Sequence, residues 1–564
     1  MTEKNKIMNK KWIYFGLLGV VLLAAILRFA WLGQIPAGVT PDEIQQGYSA
    51  YSILKTGKDE WGDFLPIFPR SFGDYRPPLY VYLTVPSVAL FDLNIFAVRF
   101  PSAVFGVLGV FAMYLLTLEL FKQRTVALLA SLILAISSWH FFYSRAAWES
   151  NATIVFFMLG LWMFLKADSG KRLAVRRWWM VGSAVSFGLT MFGYYSFQMF
   201  TPLFVAGLIA LKAWQGNFKQ HLKDHNKWLF VAVFGIFVLV LVYGQLFTGA
   251  GRRAGDAALY NPENVAALRD IQVNDPLPQP WGRVINNKLA YLGSQFSQNY
   301  LGYFSTTFLA SPDRSDSSLY NLPGQWLLSV WEITFVLIGL VMLYKMKVEN
   351  RSILILWALT APIPAALTRN YMHTQRVEVL LVLFPIVAAF GIWAFLNKIK
   401  KIQLKYGLIG VIALFMLASV VKRVDFYVFH QFDRPLGGVH YNYQEIFDYT
   451  EKNKDQYDQI IFTKSQGQPQ IYLAFYSKMD PAFFQSQSQN WKDFEKEFKF
   501  LDQSNYVLGK YRFENVEWNK VKVEPNTLII GSEQETPDGI KSSLQIKDPF
   551  DKIMFRIFDT KNEL

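Results

Sequence analysis

The sequence predicts an all-α polytopic membrane domain followed by a small soluble α/β domain, and three observations support this fold class. Of the 564 residues, 52% are hydrophobic and only 18% are charged, which is apolar for a soluble chain of this length. Apolar runs near the ~20 residues that cross a bilayer recur as far as residue 421. Beyond it, short helix-like and strand-like patterns alternate, with strand-like Gln459–Thr463, helix-like Gln468–Lys478 and a further element at Thr527–Gly531. We therefore predict a membrane domain over 1–421 and a tail domain over 422–564.

The individual crossings follow from the lengths of the apolar runs. The first run, Trp12 to Leu32, exceeds a signal-peptide core of about 7–15 residues, and no small-residue cleavage site follows it, so it predicts a permanent helix. The run 79–91 is too short to cross and contains Pro86, which favours a helix lying in the interface. Eleven runs reach spanning length: 12–32, 97–121, 125–143, 150–166, 178–193, 197–213, 228–248, 326–344, 352–368, 377–397 and 406–421.

The lysines and arginines predict which loops face the cytoplasm, because cytoplasmic loops carry an excess of these residues. With the N-terminus inside, every short basic loop falls on the same side of the membrane: 122–124, 166–177, 212–227, 345–351 and 398–405. The loops 33–96, 144–149, 249–325 and 369–376 and the whole tail then lie outside. The net charge of +13 thus follows topology and predicts no nucleic-acid partner. We expect a multi-pass protein of a bacterial plasma membrane.

Cysteine usage agrees with an extracytoplasmic location. The chain contains no cysteine, which excludes disulfides and thiolate metal sites. Carboxylates in the first outer loop offer oxygen ligands at Asp59, Glu60 and Asp63, but an exposed loop that links helices accounts for them equally well. We therefore predict that no metal or other cofactor is obligatory.

The first outer loop carries a helix-start signal that also has chemical potential. Thr40 is a typical N-cap, Pro41 suits the first helical position and Glu43 completes a capping box. Gly57 is placed to end this helix. Asp42 would favour the helix dipole, and a carboxylate held on a rigid helix end is also well placed to accept a proton from a hydroxyl. Both the capping function and the catalytic function remain open from the residues alone.

The same loop ends in Asp74-Tyr75-Arg76-Pro77-Pro78. The two prolines fix the backbone just before the interfacial run and hold Arg76 at the depth of lipid headgroups. Its planar guanidinium suits a phosphate group, whereas ordinary snorkelling towards the headgroups is the simpler alternative.

Taken in order, these motifs resemble glycosyltransferase family 39, the group of protein O-mannosyltransferases and the lipid A aminoarabinose transferase, which has the GT-C membrane fold. The resemblance covers most of the chain and rests on seven stretches: PDE (41–43), DYRPPLY (74–80), FAVRFPSAVFG (96–106), SRAAWESN (144–151), NYLGYFSTTFL (299–309), HTQRVEVLLVLFPI (373–386) and QPQIYLAFYSKMDP (468–481).

The resemblance implies an inverting transfer of a sugar from a polyprenyl-phosphate donor to a hydroxyl acceptor. Asp42 matches the catalytic aspartate, and Glu43 matches a companion that helps to hold the acceptor. Arg76 stands where the family places a basic residue on the donor phosphate, although some members have Lys-Pro or His-Pro-Pro there. Glu149 matches a second acidic residue, and Arg376 a basic residue that opens a late helix; an exposed acid and a snorkelling arginine are the simpler alternatives.

Aromatic residues near the outer surface are candidates for the sugar pocket. Tyr75, Tyr194 and Tyr195 are placed to line it, although tyrosines at this depth more often form the aromatic belt of a membrane protein. His373 is expected to be a solvated loop histidine.

Three other classes of function compete with the transferase. A two-carboxylate hydrolase would use the acids of the outer loop, but a lipid-borne donor explains the many spans better. A transporter or flippase of a lipid-linked glycan would place its polar segments at mid-membrane and often shows repeated halves; here the charges lie in outer loops and no repeat is evident. A receptor or assembly protein would use the tail to bind partners. The bilayer, the lipid-linked donor and a protein, glycolipid or wall-polymer hydroxyl are the expected partners.

Overall fold

The computed structural model describes most of the chain. The described residues are 3–71, 75–169, 173–215, 224–248, 250–251, 258–260, 262–274, 280–311, 325–369, 372–430, 439–491, 505–518, 526–537, 540 and 542–561.

The chain forms two compact units. Unit 1 comprises Met1–Ala30 and Ser102–Phe426, and unit 2 comprises Trp31–Pro101 and Tyr427–Leu564. The first outer loop thus groups with the tail, although the two are more than 300 residues apart in sequence. The boundary placed after residue 421 on sequence grounds stays a prediction.

Helices dominate both the N-terminal and central parts of the chain, as the sequence predicted. The described helices are, in chain order, α1 (Glu3–Phe29), α2 (Pro41–Thr56), α3 (Leu79–Phe91), α4 (Ile95–Phe121), α5 (Arg124–Ile136), α6 (Ser138–Tyr143), α7 (Glu149–Ser169), α8 (Leu173–Thr190), α9 (Tyr195–Gln215), α10 (His225–Phe247), α11 (Pro262–Val273), α12 (Trp281–Ile285), α13 (Lys288–Gly302), α14 (Thr306–Ala310), α15 (Val330–Lys345), α16 (Arg351–Thr360), α17 (Ile363–Ala366), α18 (Glu378–Leu381), α19 (Leu383–Lys398), α20 (Ile402–Phe429), α21 (Tyr443–Asn453), α22 (Pro469–Tyr476) and α23 (Pro481–Ser488).

Within the described residues, seven helices are long and apolar enough to cross a membrane: Lys11–Phe29, Ile95–Phe121, Glu149–Asp168, Tyr195–Gln215, His225–Phe247, Thr374–Lys398 and Ile402–Phe429. The chain is therefore a multi-pass membrane protein, while the count of eleven spans stays a prediction. The other predicted runs form helices that are shorter or less apolar; for example, the run 125–143 breaks at Ser137 into α5 and α6. The short run 79–91 forms the 13-residue α3, with Pro86 inside it.

Close helix packing in unit 1 depends on small residues. Helices α15 and α19 pack side by side, and a Cβ added to Gly339 would lie 2.2 Å from the carbonyl oxygen of Val387. On the facing helix, a Cβ added to Gly391 would lie 2.1 Å from the carbonyl oxygen of Phe335. Small residues let helix backbones approach closely where no water drives association, so these two glycines set the contact.

The tail domain is α/β, as predicted. Its described strands are β1 (Gln459–Phe462), β2 (Tyr506–Leu508), β3 (Tyr511–Phe513), β4 (Thr527–Gly531), β5 (Leu544–Lys547) and β6 (Ile553–Asp559), and they form one sheet in the order β2-β3-β1-β4-β6-β5. Strand β1 runs parallel to β3 and β4, and the other pairs are antiparallel. The predicted elements at 459–463, 468–478 and 527–531 are confirmed as β1, α22 and β4.

Helix α2 of the first outer loop packs within unit 2 against α22 and α23. Gly47 makes the close approach possible, since a Cβ there would lie 2.7 Å from the Phe475 ring and 2.5 Å from Val98. The hydroxyl of Tyr48 donates to the carbonyl of Met479 at 3.1 Å. The tail sheet, through these helices, therefore fixes the orientation of α2.

Candidate active site

The start of α2 has the capping geometry that its sequence predicts. The Glu43 amide donates to Thr40 Oγ1 at 3.1 Å, and the Thr40 amide donates to Glu43 Oε2 at 3.2 Å. Pro41 occupies the first turn, and Gly57 ends the helix with φ of 70°, a left-handed conformation that glycine adopts without strain. Asp42 therefore projects from a backbone that is fixed at both ends of its helix.

Asp42 and Arg76, both predicted site residues, are in direct contact. Arg76 Nη2 donates to Asp42 Oδ1. The Asp42 side chain is 49% exposed, whereas that of Arg76 is only 11% exposed, so the carboxylate is accessible while its partner is held by the protein. Arg76 Nε also donates to Ser71 Oγ at 3.0 Å, and the Arg76 amide donates to the Pro69 carbonyl at 2.8 Å.

Tyr75 lies beside this pair but contacts a different arginine. Its hydroxyl accepts from Arg70 Nη2 at 3.3 Å, and the Arg70 guanidinium lies 5.7 Å from the centre of the Tyr75 ring and 5.5 Å from that of Trp61. Such cation–π geometry stabilises the loop. The preceding residue, Asp74, lies outside the described residues.

Glu43 is held by a buried arginine that sequence reasoning did not select. Arg99 Nε donates to Glu43 Oε1 at 2.9 Å, and the two side chains are 1% and 6% exposed. Arg99 also donates to the carbonyls of Pro36 and Gly38, each at 2.8 Å. Glu43 thus serves both the capping box and a buried ion pair. The signal in the sequence was a charged residue at the start of an apolar run, inside the motif 96–106.

Asp59 and Glu60 are buried, so the expectation of an exposed loop was wrong for them. They are 0% and 1% exposed because their oxygens serve the fold. Asp59 Oδ1 accepts from the Trp61 and Asp63 amides at 3.0 and 2.9 Å. Glu60 accepts from Gln45 Nε2 at 3.0 Å and from Ser49 Oγ at 2.7 Å. These contacts attach the loop after α2 to α2 itself.

The surroundings of this buried pair alter both pKa values. Burial raises the pKa of Glu60 to about 8, and the neighbouring Asp59 carboxylate adds to the effect. Burial also raises the pKa of Asp59 to about 6, with a further contribution from Asp63 and partial opposition from the backbone amides. Desolvation disfavours the charged form of a carboxyl group, so these two carboxyl groups lose their protons at a higher pH than exposed ones do.

Glu149 lies in unit 1 as the first residue of α7 and is only 8% exposed, so the alternative of an ordinary exposed acid was wrong. Glu378, which sequence reasoning missed, lies close to the Glu149 carboxylate and the Ser150 hydroxyl. Glu378 is 0% exposed, and neither of its carboxylate oxygens has a partner at hydrogen-bond geometry among the described residues. An acid inside an apolar run was the available signal.

The remaining predicted residues also belong to unit 1. Arg376 is half-buried and its Nη1 donates to Thr368 Oγ1 at 2.7 Å. His373 is buried at 7% exposure, so the expectation of a solvated histidine was wrong: its loop folds back as a 3-10 turn over Thr374–Val377. Tyr194 is buried, Tyr195 is half-buried, and their ring centres lie 6.2 Å apart.

The candidate residues therefore fall into two sets. Unit 2 brings together Asp42, Glu43 and Arg76, with Tyr75 nearby, whereas Glu149, Arg376, Tyr194 and Tyr195 belong to unit 1. Among the described residues, no group of three or more His, Asp or Glu side chains is arranged to hold a metal ion. The roles of all these residues stay predictions.

Comparison with solved structures defines the fold class. ArnT from Cupriavidus metallidurans bound to undecaprenyl phosphate aligns with a TM-score of 0.52 at 13% identity, over 96% of this chain and 97% of that one. The oligosaccharyltransferase AglB from Archaeoglobus fulgidus, in complex with an inhibitory peptide and a dolichol-phosphate, aligns with a TM-score of 0.53 at 14% identity, over 93% and 70%. The Archaeoglobus fulgidus oligosaccharyltransferase tethered with an acceptor peptide aligns with a TM-score of 0.50 at 16% identity. That alignment covers 82% of this chain but only 59% of the oligosaccharyltransferase chain.

Sequence comparison agrees with the fold. Residues 75–243 match the family model of the dolichyl-phosphate-mannose-protein mannosyltransferases, while no curated protein matches the chain. The match confirms the resemblance to glycosyltransferase family 39 and the GT-C fold class. The chain has the GT-C fold of these aligned glycosyltransferase structures.

Proposed function

We propose that this protein is an inverting glycosyltransferase that moves a sugar from a polyprenyl-phosphate donor to a hydroxyl acceptor on the outer face of the membrane. The observation that carries the proposal is the pairing of a half-exposed carboxylate, Asp42, with a mostly buried guanidinium, Arg76, at the start of a rigid helix. A general base and a phosphate-binding cation are the two groups that such a transfer needs most.

Asp42 acts as the general base in this proposal. The acceptor hydroxyl oxygen attacks the anomeric carbon, its proton passes to Asp42, and the bond from that carbon to the phosphate oxygen breaks. The polyprenyl phosphate leaves with the bonding electrons, so the configuration at the anomeric carbon inverts. A lipid phosphate is already a fair leaving group, so the site has to supply a base, charge stabilisation and alignment.

Glu43 acts mainly by positioning Asp42. One of its oxygens receives the Thr40 amide and the other receives Arg99 Nε. Both contacts keep the first turn of α2 in place, and Arg99 additionally holds the chain before it through the carbonyls of Pro36 and Gly38. This role differs from the acceptor-holding role that the family resemblance implies for Glu43.

Arg76 changes partner when the donor binds. In the structure its guanidinium contacts Asp42, and a donor phosphate placed at Arg76 competes with that contact. Binding of the donor then frees the Asp42 carboxylate for the acceptor. Among the residues of unit 1, we assign Arg376 to phosphate binding and Glu149, Tyr194 and Tyr195 to sugar binding. In unit 2, we assign Tyr75 to sugar binding.

A lipid-linked donor and an outer location are supported by independent features. The matched family is described by its dolichyl-phosphate-mannose donor, and two structures with this fold contain undecaprenyl phosphate and dolichol-phosphate. The basic loops fall on the side opposite to the loop 33–96 that carries Asp42. We therefore place the reaction on the extracytoplasmic side of a bacterial plasma membrane.

A transfer assay on the purified protein tests the proposal. Polyprenyl-phosphate mannose, glucose, galactose and aminoarabinose, each radiolabelled in the sugar, are supplied with membrane extracts as the acceptor source. We expect one of these donors to lose its sugar to an acceptor, with release of polyprenyl phosphate. If the protein is folded and every donor still carries its labelled sugar after the reaction, the proposal is contradicted.

A further inference from the structure

Unit 2 contains an open cleft of about 620 Å³, to which the roles above assign no ligand. Three segments supply most of its lining: residues 33–39 before α2, the beginning of α4 and one face of the tail helix α21. Its volume falls within the roughly 300–1,000 Å³ of pockets that bind small organic ligands. We define this lining as the tail cleft.

One wall of the tail cleft is a polar helix face. Glu445, Asp448, Tyr449 and Lys452 of α21 all line it, and their spacing of three and four residues places them on one side of the helix. Glu445, Asp448 and Lys452 are exposed, and Tyr449 is half-buried. The wall therefore offers accepting carboxylates, a donating ammonium group and a phenol within two turns.

Other residues of the lining add uncharged polar groups and aromatic faces. Gln34 is exposed, and Tyr476 and His440 are half-buried. Burial lowers the pKa of His440 to about 4, so its ring is uncharged at neutral pH. Its Nδ1 atom has no hydrogen-bond partner among the described residues. These residues can therefore donate and accept hydrogen bonds without adding charge.

The charge of the tail cleft is close to balanced. Arg99 lines it, but its charge is already matched by Glu43 at 2.9 Å. The remaining charges of the lining are the carboxylates of Glu445 and Asp448 and the single ammonium group of Lys452. A phosphorylated ligand would meet two carboxylates for the one ammonium group of Lys452, and an apolar ligand would leave these polar groups without partners. A sugar hydroxyl, which both donates and accepts, suits this mixture of groups.

We propose that the tail cleft binds the acceptor and that the acceptor is a neutral glycan chain. This inference rests on the proposed function and names the acceptor class that the proposed function leaves open. The cleft includes Val39, which precedes Asp42 by three residues, so their Cα atoms lie within roughly 11 Å of each other at full extension. A glycan in the cleft thus has a terminal hydroxyl within reach of the base.

A peptide acceptor is the competing occupant. Peptides often bind by adding a strand to a sheet edge, and β5 is an edge strand of the tail sheet. However, Leu544 is the one β5 residue among those that line the cleft, and one residue cannot supply a ladder of main-chain hydrogen bonds. The polar walls therefore favour the glycan.

Binding of known oligosaccharides to the purified full-length protein tests the inference. Maltotriose, mannotriose and chitotriose are compared with a Ser/Thr-rich hexapeptide by saturation-transfer NMR and by titration. The variant pair Glu445→Ala with Asp448→Ala removes both carboxylates, and Gln34→Trp fills the cleft from the segment before α2. Asp455→Ala is the matched control, since this 92% exposed acid of the same domain does not line the cleft. Binding of a polyprenyl-phosphate sugar is measured in parallel.

We expect at least one oligosaccharide to bind the wild type and the control equally, and both cleft variants to weaken it about tenfold or more, with donor binding unchanged. Equal oligosaccharide affinity in all variants, or no oligosaccharide binding, would overturn the cleft assignment. Loss of hexapeptide binding in the cleft variants would overturn the glycan class. The donor-transfer assay separates this inference from the proposed function. If the protein transfers sugar and the cleft variants do so at the wild-type rate, this inference alone is refuted. If the cleft binds an oligosaccharide but the protein uses none of the lipid donors, the proposed function is refuted.

Discussion

At the residue scale, the contact between Arg76 and Asp42 joins the two chemical roles that the transfer requires. Arg76 is fixed from behind by Ser71 Oγ at 3.0 Å, and its side chain is only 11% exposed. An arginine restrained in this way loses little conformational entropy when it binds a phosphate. The arrangement predicts a defined loss of donor affinity when the guanidinium is removed.

Replacing Arg76 by Ala should weaken binding of the polyprenyl-phosphate sugar by about 1.5–3 kcal/mol, the usual contribution of a charge-assisted hydrogen bond. Arg76→Lys should restore part of the affinity, because it keeps the charge and loses the planar fork. Arg376→Ala should give a similar loss. Titration of the donor into detergent-solubilised protein measures these affinities. The control is Lys478→Ala, which removes a comparable but exposed ion pair with Asp92. Wild-type donor affinity in the Arg76 and Arg376 variants would refute the assignment of these residues to the phosphate.

The buried Glu60 predicts a pH-dependent stability. Its pKa is about 8 in the folded protein because of burial and the nearby Asp59, compared with 4.5 for an unperturbed glutamate. Between these values the folded state binds more protons than the unfolded state, so stability is greatest below about pH 4.5 and falls as the pH rises through about 8. Glu60→Gln should flatten this dependence while keeping partners for Gln45 and Ser49.

Melting temperatures of the wild type and Glu60→Gln at intervals from pH 5 to pH 9 measure this effect. Asp551→Asn is a suitable control, because Asp551 is 92% exposed in the same unit. An identical pH profile for the wild type and Glu60→Gln would show that Glu60 does not titrate in this range.

At the element scale, α2 determines where Asp42 points. Its N-terminus is set by the capping box and by Arg99, its middle by the packing of Gly47 on Phe475, and its C-terminus by Gly57. The cap, the first-turn proline and the C-terminal glycine were all predictable, because they follow from local backbone chemistry. The ion pair with Arg99 and the packing on α22 were not predictable, since they join residues that are far apart in the chain.

Thr40→Ala should destabilise unit 2 by about 0.5–2 kcal/mol, because it removes the acceptor of the Glu43 amide. It should also lower the transfer rate without changing the affinity for the donor, since the first turn that aims Asp42 loosens. Thr40→Ser keeps the hydroxyl and should restore both properties. Thermal melting and a transfer assay at saturating donor measure them. Normal stability and transfer in Thr40→Ala would show that the cap does not control Asp42.

At the scale of the whole molecule, the sequence predicted the fold class better than the details of the site. Apolar runs long enough to span predict membrane helices directly, and the elements at 459–463, 468–478 and 527–531 followed from local patterns. The grouping of the first outer loop with the tail did not follow from any local signal. Burial of Asp59, Glu60, His373 and Glu378 was likewise hidden, because a single sequence does not show which loops fold inward.

The topology inferred from the basic residues is a prediction for the whole chain. Because the chain has no cysteine, single cysteines can be introduced at exposed positions: Lys55 and Ser465 on the predicted outer side and Glu349 on the predicted inner side. An impermeant maleimide added to intact cells should label the first two variants, and it should label the third only after the cells are opened. Labelling of the Glu349→Cys variant in intact cells, without the other two, would reverse the predicted orientation.

The most direct test of the central claim is the single-turnover transfer rate of Asp42→Asn, measured with the donor that the wild type uses. Asparagine keeps the size of the side chain and removes the proton acceptor. We predict a fall in rate of about 10²–10⁴, the usual contribution of general-base catalysis, with donor affinity and melting temperature nearly unchanged. Asp92→Asn, an ion-paired aspartate of the same unit, should transfer normally. Transfer by Asp42→Asn at the wild-type rate would contradict the account and would leave Asp42 with only a structural role at the start of α2.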